Sequence, residues 1–156
     1  MKYVVLVSHG MLAPGLHSAL DMLAGEGRED ILSASLENGM SSEVYAENLR
    51  KKLETVTPED EIILFGDLVG GSPLTTATNI IAEKDLLKQT VIIGGMNLPI
   101  ALSAVLMKDG MELRELVDML LPEAREEIKE FQVTSEESED DIYGGKENGS
   151  FVYSCR

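Results

Sequence analysis

The chain has 156 residues, enough for one domain with a sizeable core, and 44% of them are hydrophobic while only 4% are aromatic. The 28 acidic residues outnumber the 13 basic ones and give a formal net charge of -15, which argues against nucleic acid and anionic membrane surfaces as partners because like charges repel. The low aromatic content also leaves few side chains for stacking on bases.

Cysteine usage and apolar segments indicate a soluble cytoplasmic protein. The single cysteine, Cys155, lies next to the C-terminus, so an internal disulfide is excluded. The start of the chain lacks the apolar length and the cleavage site of a signal peptide. The most apolar stretch, residues 91–107, is interrupted by glycine, asparagine and proline, so we expect no direct membrane insertion.

Buried strands alternate with amphipathic helices along the first 128 residues. Continuous apolar runs predict strands over residues 3–8 and 61–66, and residues 31–36 and 90–94 are predicted as two further strands. Pro14 fits the first turn of a helix that ends at Gly25. Further helices are predicted after Ser41 or Ser42, over residues 73–84, from Pro99, and over residues 111–128. The helix after Ser41 or Ser42 should bury Val44, Leu49 and Leu53.

This alternation predicts a doubly wound α/β fold with a mostly parallel central sheet and helices on both faces. We expect a first domain over residues 1–133. Residues 134–156 form an acidic, glycine-containing tail in which FVYS is a candidate edge strand.

Three polar motifs follow strands that end at the same edge of such a sheet. They are SHGM after the first strand, GDLVGGSP after the third and GGMNLP after the fourth. Ligands of doubly wound folds bind beyond the carboxyl ends of the strands, so this edge is the candidate site.

His9 is the titratable group at the end of the first predicted strand, where a structural and a reactive role are both open. Asp67, at the end of an adjacent strand, would accept a hydrogen bond from one imidazole nitrogen and leave the other as a nucleophile. Asp67 also fits a plain turn or capping role. Together the two residues are candidates for a catalytic pair.

The glycines and the serine near Asp67 form a candidate phosphate-binding loop. Gly70 and Gly71 allow close approach of the backbone to a ligand, and Ser72 before a proline fits a helix N-cap whose free amides attract anions. Gly10, directly after the histidine, is included in this loop. Glycine before a capped helix is also common in plain turns that bind no ligand. The loop has neither the P-loop pattern nor that of a nucleophile elbow.

Neither histidine is expected to bind metal. His17 lies on the first predicted helix, where a structural role is expected, and the two histidines lack the further ligands of a zinc pattern. The acidic run at residues 136–141 lacks the spacing of a calcium loop. We expect no metal and no cofactor, and we interpret most of the eight methionines as core residues.

Taken together, VSHG, D-x-x-G-G-S-P and G-x-N-x-P resemble the motifs of the EIIA domain of the mannose family of the bacterial phosphoenolpyruvate-dependent sugar phosphotransferase system (PTS). The resemblance covers residues 1–133. It implies a phosphocarrier in which His9 takes a phosphoryl group from phosphorylated HPr and passes it to an EIIB partner, which serves sugar uptake through an EIIC/EIID permease. It also implies that Asp67 hydrogen-bonds the imidazole and that Ser72 lies near the phosphoryl group.

The resemblance further implies a homodimer formed by exchange of an antiparallel C-terminal strand. The candidate segment is residues 125–133, whose sequence REEIKEFQV fits helix and strand almost equally. The chain ends shortly after its acidic tail, so we expect EIIB to be a separate chain. An EIIA domain touches neither the sugar nor the membrane pore, so its residues do not specify the sugar.

Three other functions compete with this interpretation. The phosphotransfer subunit of dihydroxyacetone kinases shares the strand-end histidine, although the GGSP loop favours the sugar-transport branch. Some tetrapyrrole metal chelatases also begin with a strand and a His-Gly pair, but a chelatase would need further metal-binding side chains at this edge. The non-enzymatic alternative is an acidic regulatory module whose tail binds a partner.

Overall fold

Four strands form the central sheet of the computed structural model, which describes residues 1–131 and two short strands, Val133–Thr134 and Val152–Tyr153. The four are β1 (Lys2–His9), β2 (Ile31–Leu36), β3 (Glu61–Gly66) and β4 (Thr90–Gly94). All neighbours are parallel and the order is β2-β1-β3-β4. The predicted parallel sheet is confirmed, and β1 is one residue longer at each end than predicted.

The strand register brings the carboxyl ends of the strands to one edge of the sheet. His9 pairs with Leu36, Val7 pairs with Gly66, and Gly66 in turn pairs with Gly94. The segments that follow β1, β3 and β4 therefore meet there, as predicted from the three motifs.

Five α-helices cover the sheet: α1 (Leu12–Ala24), α2 (Ser42–Lys52), α3 (Ser72–Glu83), α4 (Leu98–Met107) and α5 (Leu113–Glu126). Short 3-10 turns lie at Leu87–Gln89 and Lys108–Gly110. Helices α1, α4 and α5 bury one face of the sheet and α2 and α3 bury the other, which confirms the doubly wound fold. Within the described residues, none of the helices has the length and apolarity to cross a bilayer.

Helix α2 begins where predicted but buries a different stripe of side chains. The Ser41 hydroxyl oxygen accepts a hydrogen bond from the backbone N–H of Val44 at 3.3 Å, which confirms Ser41 as the N-cap. Leu49 and Leu53 are buried as predicted, but the inward orientation of Val44 is wrong because its side chain is 48% exposed. The buried stripe runs through Tyr45 and Leu49, four residues apart, so the position before Tyr45 faces solvent.

The candidate segment for an exchanged C-terminal strand, residues 125–133, is helical up to Glu126 and irregular over residues 127–131 in the single chain, and its exchange with a second chain stays a prediction. Helix α5 continues through Glu126, because a run rich in Glu, Arg and Lys has high helix propensity. Val133–Thr134 is extended and pairs antiparallel with Val152–Tyr153 of the same chain. FVYS thus contributes a strand to a separate two-stranded sheet and not to the edge of the main sheet. The remaining residues after 134 lie outside the described residues, and the boundary at residue 133 stays a prediction.

Candidate functional site

The imidazole of His9 and the carboxylate of Asp67 form a hydrogen-bonded pair at the carboxyl edge of the sheet. Asp67 Oδ2 accepts a hydrogen bond from the backbone N–H of His9 at 2.9 Å and lies 3.0 Å from Nδ1 of the same residue. Because an ionised carboxylate can only accept, Nδ1 carries the hydrogen and Nε2 presents its lone pair. The His9 side chain is 46% exposed and the Asp67 side chain 14%, so the ring is accessible while the carboxylate is shielded.

The Asp67 carboxylate is held in its ionised form. Burial raises the pKa of this carboxyl, but the hydrogen bonds from the backbone and the ring of His9 outweigh that effect, so the pKa lies below its ordinary value. The second oxygen, Oδ1, is buried and has no hydrogen-bond partner among the described residues. Both hydrogen bonds to Oδ2 of the carboxylate come from His9, which fixes the orientation of the imidazole ring.

Gly10 and Gly70 adopt the left-handed backbone conformations that favour glycine, with φ of +54° and +77°. The backbone N–H of Gly10 donates to the carbonyl oxygen of Leu36 at 2.9 Å, which ties the turn after β1 to the end of β2. Both predicted loop glycines thus shape the two turns that carry the His9–Asp67 pair.

Gly71 lies directly against the imidazole ring. A Cβ atom at this position would lie 2.8 Å from Cε1 of His9 and 3.2 Å from the carbonyl oxygen of Leu68. Its φ of -69° is open to any residue, so space and not backbone conformation demands glycine here. The loop after β3 therefore packs on the histidine that it faces.

Ser72 is the first residue of α3 and not its N-cap, so the predicted capping role is wrong. Gly71 occupies the N-cap position, and no side chain caps this end of the helix. Pro73 has no N–H, and the N–H of Thr75 already donates to the carbonyl of Gly71 at 3.0 Å. The amides of Ser72 and Leu74 therefore have no intrahelical acceptor and are the donors that α3 offers to an anion.

The GGMNLP motif supports the loop that carries the pair. The backbone N–H of Met96 donates to the carbonyl of Gly66 at 3.0 Å, and Asn97 caps α4. Gly94 leaves room for the side chain of Val69, because a Cβ atom at Gly94 would lie 2.1 Å from Cγ2 of that residue. These contacts fasten the end of β4 to the loop after β3.

Ser8 is a residue that sequence analysis did not single out. Its fully buried hydroxyl accepts a hydrogen bond from the backbone N–H of Ala13 at 2.7 Å and lies 3.5 Å from the hydroxyl of Ser35. Ser8 thereby provides an acceptor for a backbone N–H in the first turn of α1, where the N-cap residue Met11 makes no side-chain hydrogen bond. The sequence does carry a signal for this role, because a serine shortly before a helix often accepts a hydrogen bond from a backbone N–H of its first turn.

His17 lies away from the pair, between α1 and β2. Its Nδ1 is 2.9 Å from the hydroxyl of Ser33, and its Nε2 is 3.8 Å from Asp21 Oδ1. Over the described part of the chain, no group of three or more histidine, cysteine, aspartate or glutamate side chains is placed to hold a metal ion.

Comparisons with known proteins identify relatives over most of the chain. A family model described as EIIA-man, PTS system fructose IIA component, matches residues 3–121. The chain is 26% identical over 139 residues to the PTS system fructose-specific EIIA component of Bacillus subtilis, a match that covers 89% of this chain and 90% of that relative. It is also 26% identical over 127 residues to the PTS system mannose-specific EIIAB component of Escherichia coli, covering 81% of this chain but only 38% of that longer relative.

Solved structures of similar fold agree with this match. The phosphotransferase system component EIIA from Streptococcus agalactiae superposes with a TM-score of 0.71 at 27% identity, covering 83% of this chain and 97% of that one. The mannose/sorbose specific IIA subunit from Enterococcus faecalis gives a TM-score of 0.72 at 22% identity, over 86% and 98% of the two chains, and this second likeness concerns the fold alone.

Proposed function

Because the chain belongs to the EIIA-man family of PTS components, we propose that it is a cytoplasmic phosphocarrier for sugar uptake. His9 accepts a phosphoryl group from phosphorylated HPr and passes it to an EIIB partner, which serves an EIIC/EIID permease. The observation that carries the proposal is the His9–Asp67 pair, in which one ring nitrogen is held by the carboxylate while the ring stays accessible.

The proposed step is an in-line attack of the Nε2 lone pair of His9 on the phosphorus of the phosphohistidine in HPr. The new N–P bond forms as the donor's N–P bond breaks, and the electrons of the broken bond return to the donor imidazole. Nε2 needs no deprotonation because the hydrogen sits on Nδ1. As the His9 ring gains positive charge, the ionised Asp67 stabilises it through the Nδ1 hydrogen bond.

The proposed phosphoryl site has neutral donors. They are the backbone amides of Ser72 and Leu74 and the exposed hydroxyl of Ser72 at the start of α3. A carrier must release the group to the next protein, so moderate stabilisation serves it better than a strongly cationic cradle would.

Four exposed apolar side chains flank the pair and favour a protein as the reaction partner. Met11 and Leu12 follow the histidine turn, and Leu68 and Val69 follow the aspartate; we call these four residues the apolar collar. Their exposed fractions are 63%, 52%, 59% and 76%. Large apolar side chains exposed together mark protein interaction sites, so the collar is the proposed contact surface for the phosphoryl donor and acceptor proteins.

The proposed function includes a homodimer. Strand β4 ends the main sheet on its side, and Ile92 within it is 42% exposed. An open strand edge with an exposed apolar side chain pairs readily with a further strand. Light scattering on the full-length chain is expected to give twice the monomer mass, with Ile92→Lys shifted towards the monomer. A wild-type chain that stays monomeric at micromolar concentration contradicts the homodimer.

Radiolabelled phospho-HPr tests the phosphocarrier directly. Wild type and His17→Ala are expected to acquire an acid-labile label, whereas His9→Ala stays unlabelled because it lacks the nucleophile. Purified EIIB added afterwards should remove the label from wild type. Equal labelling of wild type and His9→Ala, or a wild type that takes up no label, would overturn the proposed function.

A further inference from the structure

Tyr45 reaches the first turn of α3 from within the core. It lies on α2, its side chain is only 1% exposed, and it packs in the apolar cluster between the sheet and helices α2 and α3. Its hydroxyl donates a hydrogen bond to the carbonyl oxygen of Pro73 at 3.1 Å. The transfer step described above does not use this buried polar group.

The hydrogen bond fastens the helix end that carries the anion donors. Pro73 is the second residue of α3, and its carbonyl can accept both the regular helical bond and the tyrosine hydroxyl because it has two lone pairs. A buried hydroxyl without a hydrogen-bond partner lowers the stability of the fold. Packing of α2 against α3 is therefore favoured when the Tyr45 hydroxyl reaches the Pro73 carbonyl. The orientation of the first turn of α3 is thereby tied to α2.

The Tyr45 hydroxyl also remains a hydrogen-bond donor throughout the accessible pH range. Burial raises its pKa, and the negative charge of Asp67 raises it further, so the phenol stays protonated. Tyr45 therefore lies within electrostatic reach of the carboxylate that orients His9 and is bonded to the helix turn that follows Gly71.

We infer that Tyr45 is a positioning residue for phosphoryl transfer, because its hydroxyl holds the first turn of α3 so that the Ser72 and Leu74 amides face the group on His9. This inference rests on the proposed function. Since Pro73 supplies no N–H, a small rotation of this turn misaligns both remaining amides. Positioning of this kind affects the rate of the bound complex and not the affinity for the donor.

Single-turnover transfer from phospho-HPr to the full-length chain separates these effects. Tyr45→Phe keeps the ring in the core and removes the hydroxyl. We expect its maximal transfer rate to fall about three- to tenfold, the factor of one lost hydrogen bond, with the half-saturating donor concentration within about twofold of wild type. Tyr3→Phe is the matched control, because Tyr3 is buried in the same cluster near the other end of β1.

The inference is overturned if Tyr45→Phe transfers at the wild-type maximal rate, if Tyr3→Phe loses as much, or if only the half-saturating concentration changes. Failure of wild type to accept phosphate overturns the proposed function instead, so the two failures are distinguishable. Should Tyr45→Phe not fold, the hydroxyl proton of Tyr45 in wild type is followed by NMR. A slowly exchanging resonance that shifts when His9 is phosphorylated is expected, and one that exchanges freely or does not shift contradicts the inference.

Discussion

At residue 71, the absence of a single methyl group leaves the space in which the His9 ring sits. Because a Cβ atom there would approach Cε1 of the ring to 2.8 Å, Gly71→Ala must displace either the loop or the imidazole. We expect this variant to slow transfer from phospho-HPr about tenfold or more, since displacing a reacting group by about 1 Å can lower the reaction rate roughly a hundredfold. The melting temperature should change little, because φ at this position suits alanine.

Gly70→Ala provides the contrast to Gly71→Ala. Its φ of +77° is unfavourable for alanine, but a Cβ atom at Gly70 meets nothing within 4 Å. This variant should therefore lose about 1–2 kcal/mol of stability while retaining more transfer activity than Gly71→Ala. Transfer rates that rank the other way, measured at a temperature where both variants are folded, would contradict the steric role assigned to Gly71.

Asp67→Asn tests the role of the ionised carboxylate. We expect transfer to slow at least tenfold while the fold is retained, because an amide neither fixes the same tautomer nor stabilises positive charge on the ring. The pKa of Asp67 lies below its ordinary value in the folded chain, so its contribution to stability is present above pH of about 4 and is lost as the pH falls through the folded value.

Denaturant unfolding of wild type and Asp67→Asn should therefore show a stability difference at pH 7 that shrinks on acidification below about pH 4. If the stability of wild type relative to Asp67→Asn instead rises on acidification, burial, which raises the pKa of Asp67, outweighs the hydrogen bonds from His9.

The sequence predicted the meeting of His9 and Asp67 because parallel strand ends share one edge of a sheet. It did not predict Tyr45, because the contact with Pro73 joins residues 28 positions apart and depends on how α2 and α3 pack side by side. Close approach at Gly71 was predicted towards a ligand, and the structure places the His9 ring there. Such contacts are set by tertiary packing, which composition and periodicity do not encode.

At the scale of elements, the strands were more predictable than the phases of the helices. Short runs of mostly apolar residues between turn segments favour strands, so β2, β3 and β4 match their predicted bounds. Helix ends depend on a choice between neighbouring residues, and α3 takes Gly71 as its N-cap in place of Ser72. The sequence does not fix the buried stripe of α2 at Val44, because apolar valine and largely apolar tyrosine are adjacent there and the structure buries Tyr45.

The start of β2 and the end of α4 are joined by a buried ion pair that sequence analysis did not anticipate. Lys108 is 1% exposed and its Nζ lies 2.7 Å from Asp30 Oδ2 and 2.9 Å from Asp109 Oδ1. Arg28 also contacts Asp30 at 2.6 Å. Burial raises the pKa of Asp30, but its partners Arg28 and Lys108 bring it below the ordinary value.

We expect Asp30→Asn to lower the free energy of unfolding by about 3 kcal/mol, because it weakens the compensation of a buried ammonium group. Lys108→Met should cost less, about 1 kcal/mol or below, since it replaces the charge with an apolar chain of similar length and leaves Asp30 paired with Arg28. Urea unfolding of both variants decides the matter, and a larger loss for Lys108→Met would refute this ranking.

At the scale of the whole molecule, a net charge of -15 and an apolar collar act on different stages of an encounter. For the proposed transfer partners, we expect the negative field to speed the approach of a basic face and the collar to provide contact area once the two proteins meet. Met11→Ser combined with Leu68→Ser is expected to raise the donor concentration for half-maximal transfer about tenfold, because about 1.4 kcal/mol of apolar contact is removed. The maximal rate should stay near that of wild type.

Leu106→Ser is the control for the collar variant, because Leu106 is 62% exposed but lies near the end of α4 that is remote from the strands' carboxyl edge. It should leave the half-saturating concentration unchanged. Equal effects of the control and the collar variant would remove the collar from the proposed contact surface.

Phosphorus and nitrogen-15 NMR of the phosphorylated chain test the central claim most directly. The claim is that the hydrogen bond to Asp67 keeps the hydrogen on Nδ1 of His9 and leaves Nε2 as the nucleophile. The phosphoryl group is predicted to be bonded to Nε2 of His9, with the Nδ1 hydrogen still present. Phosphate bonded to Nδ1, or to a residue other than His9, would contradict the account.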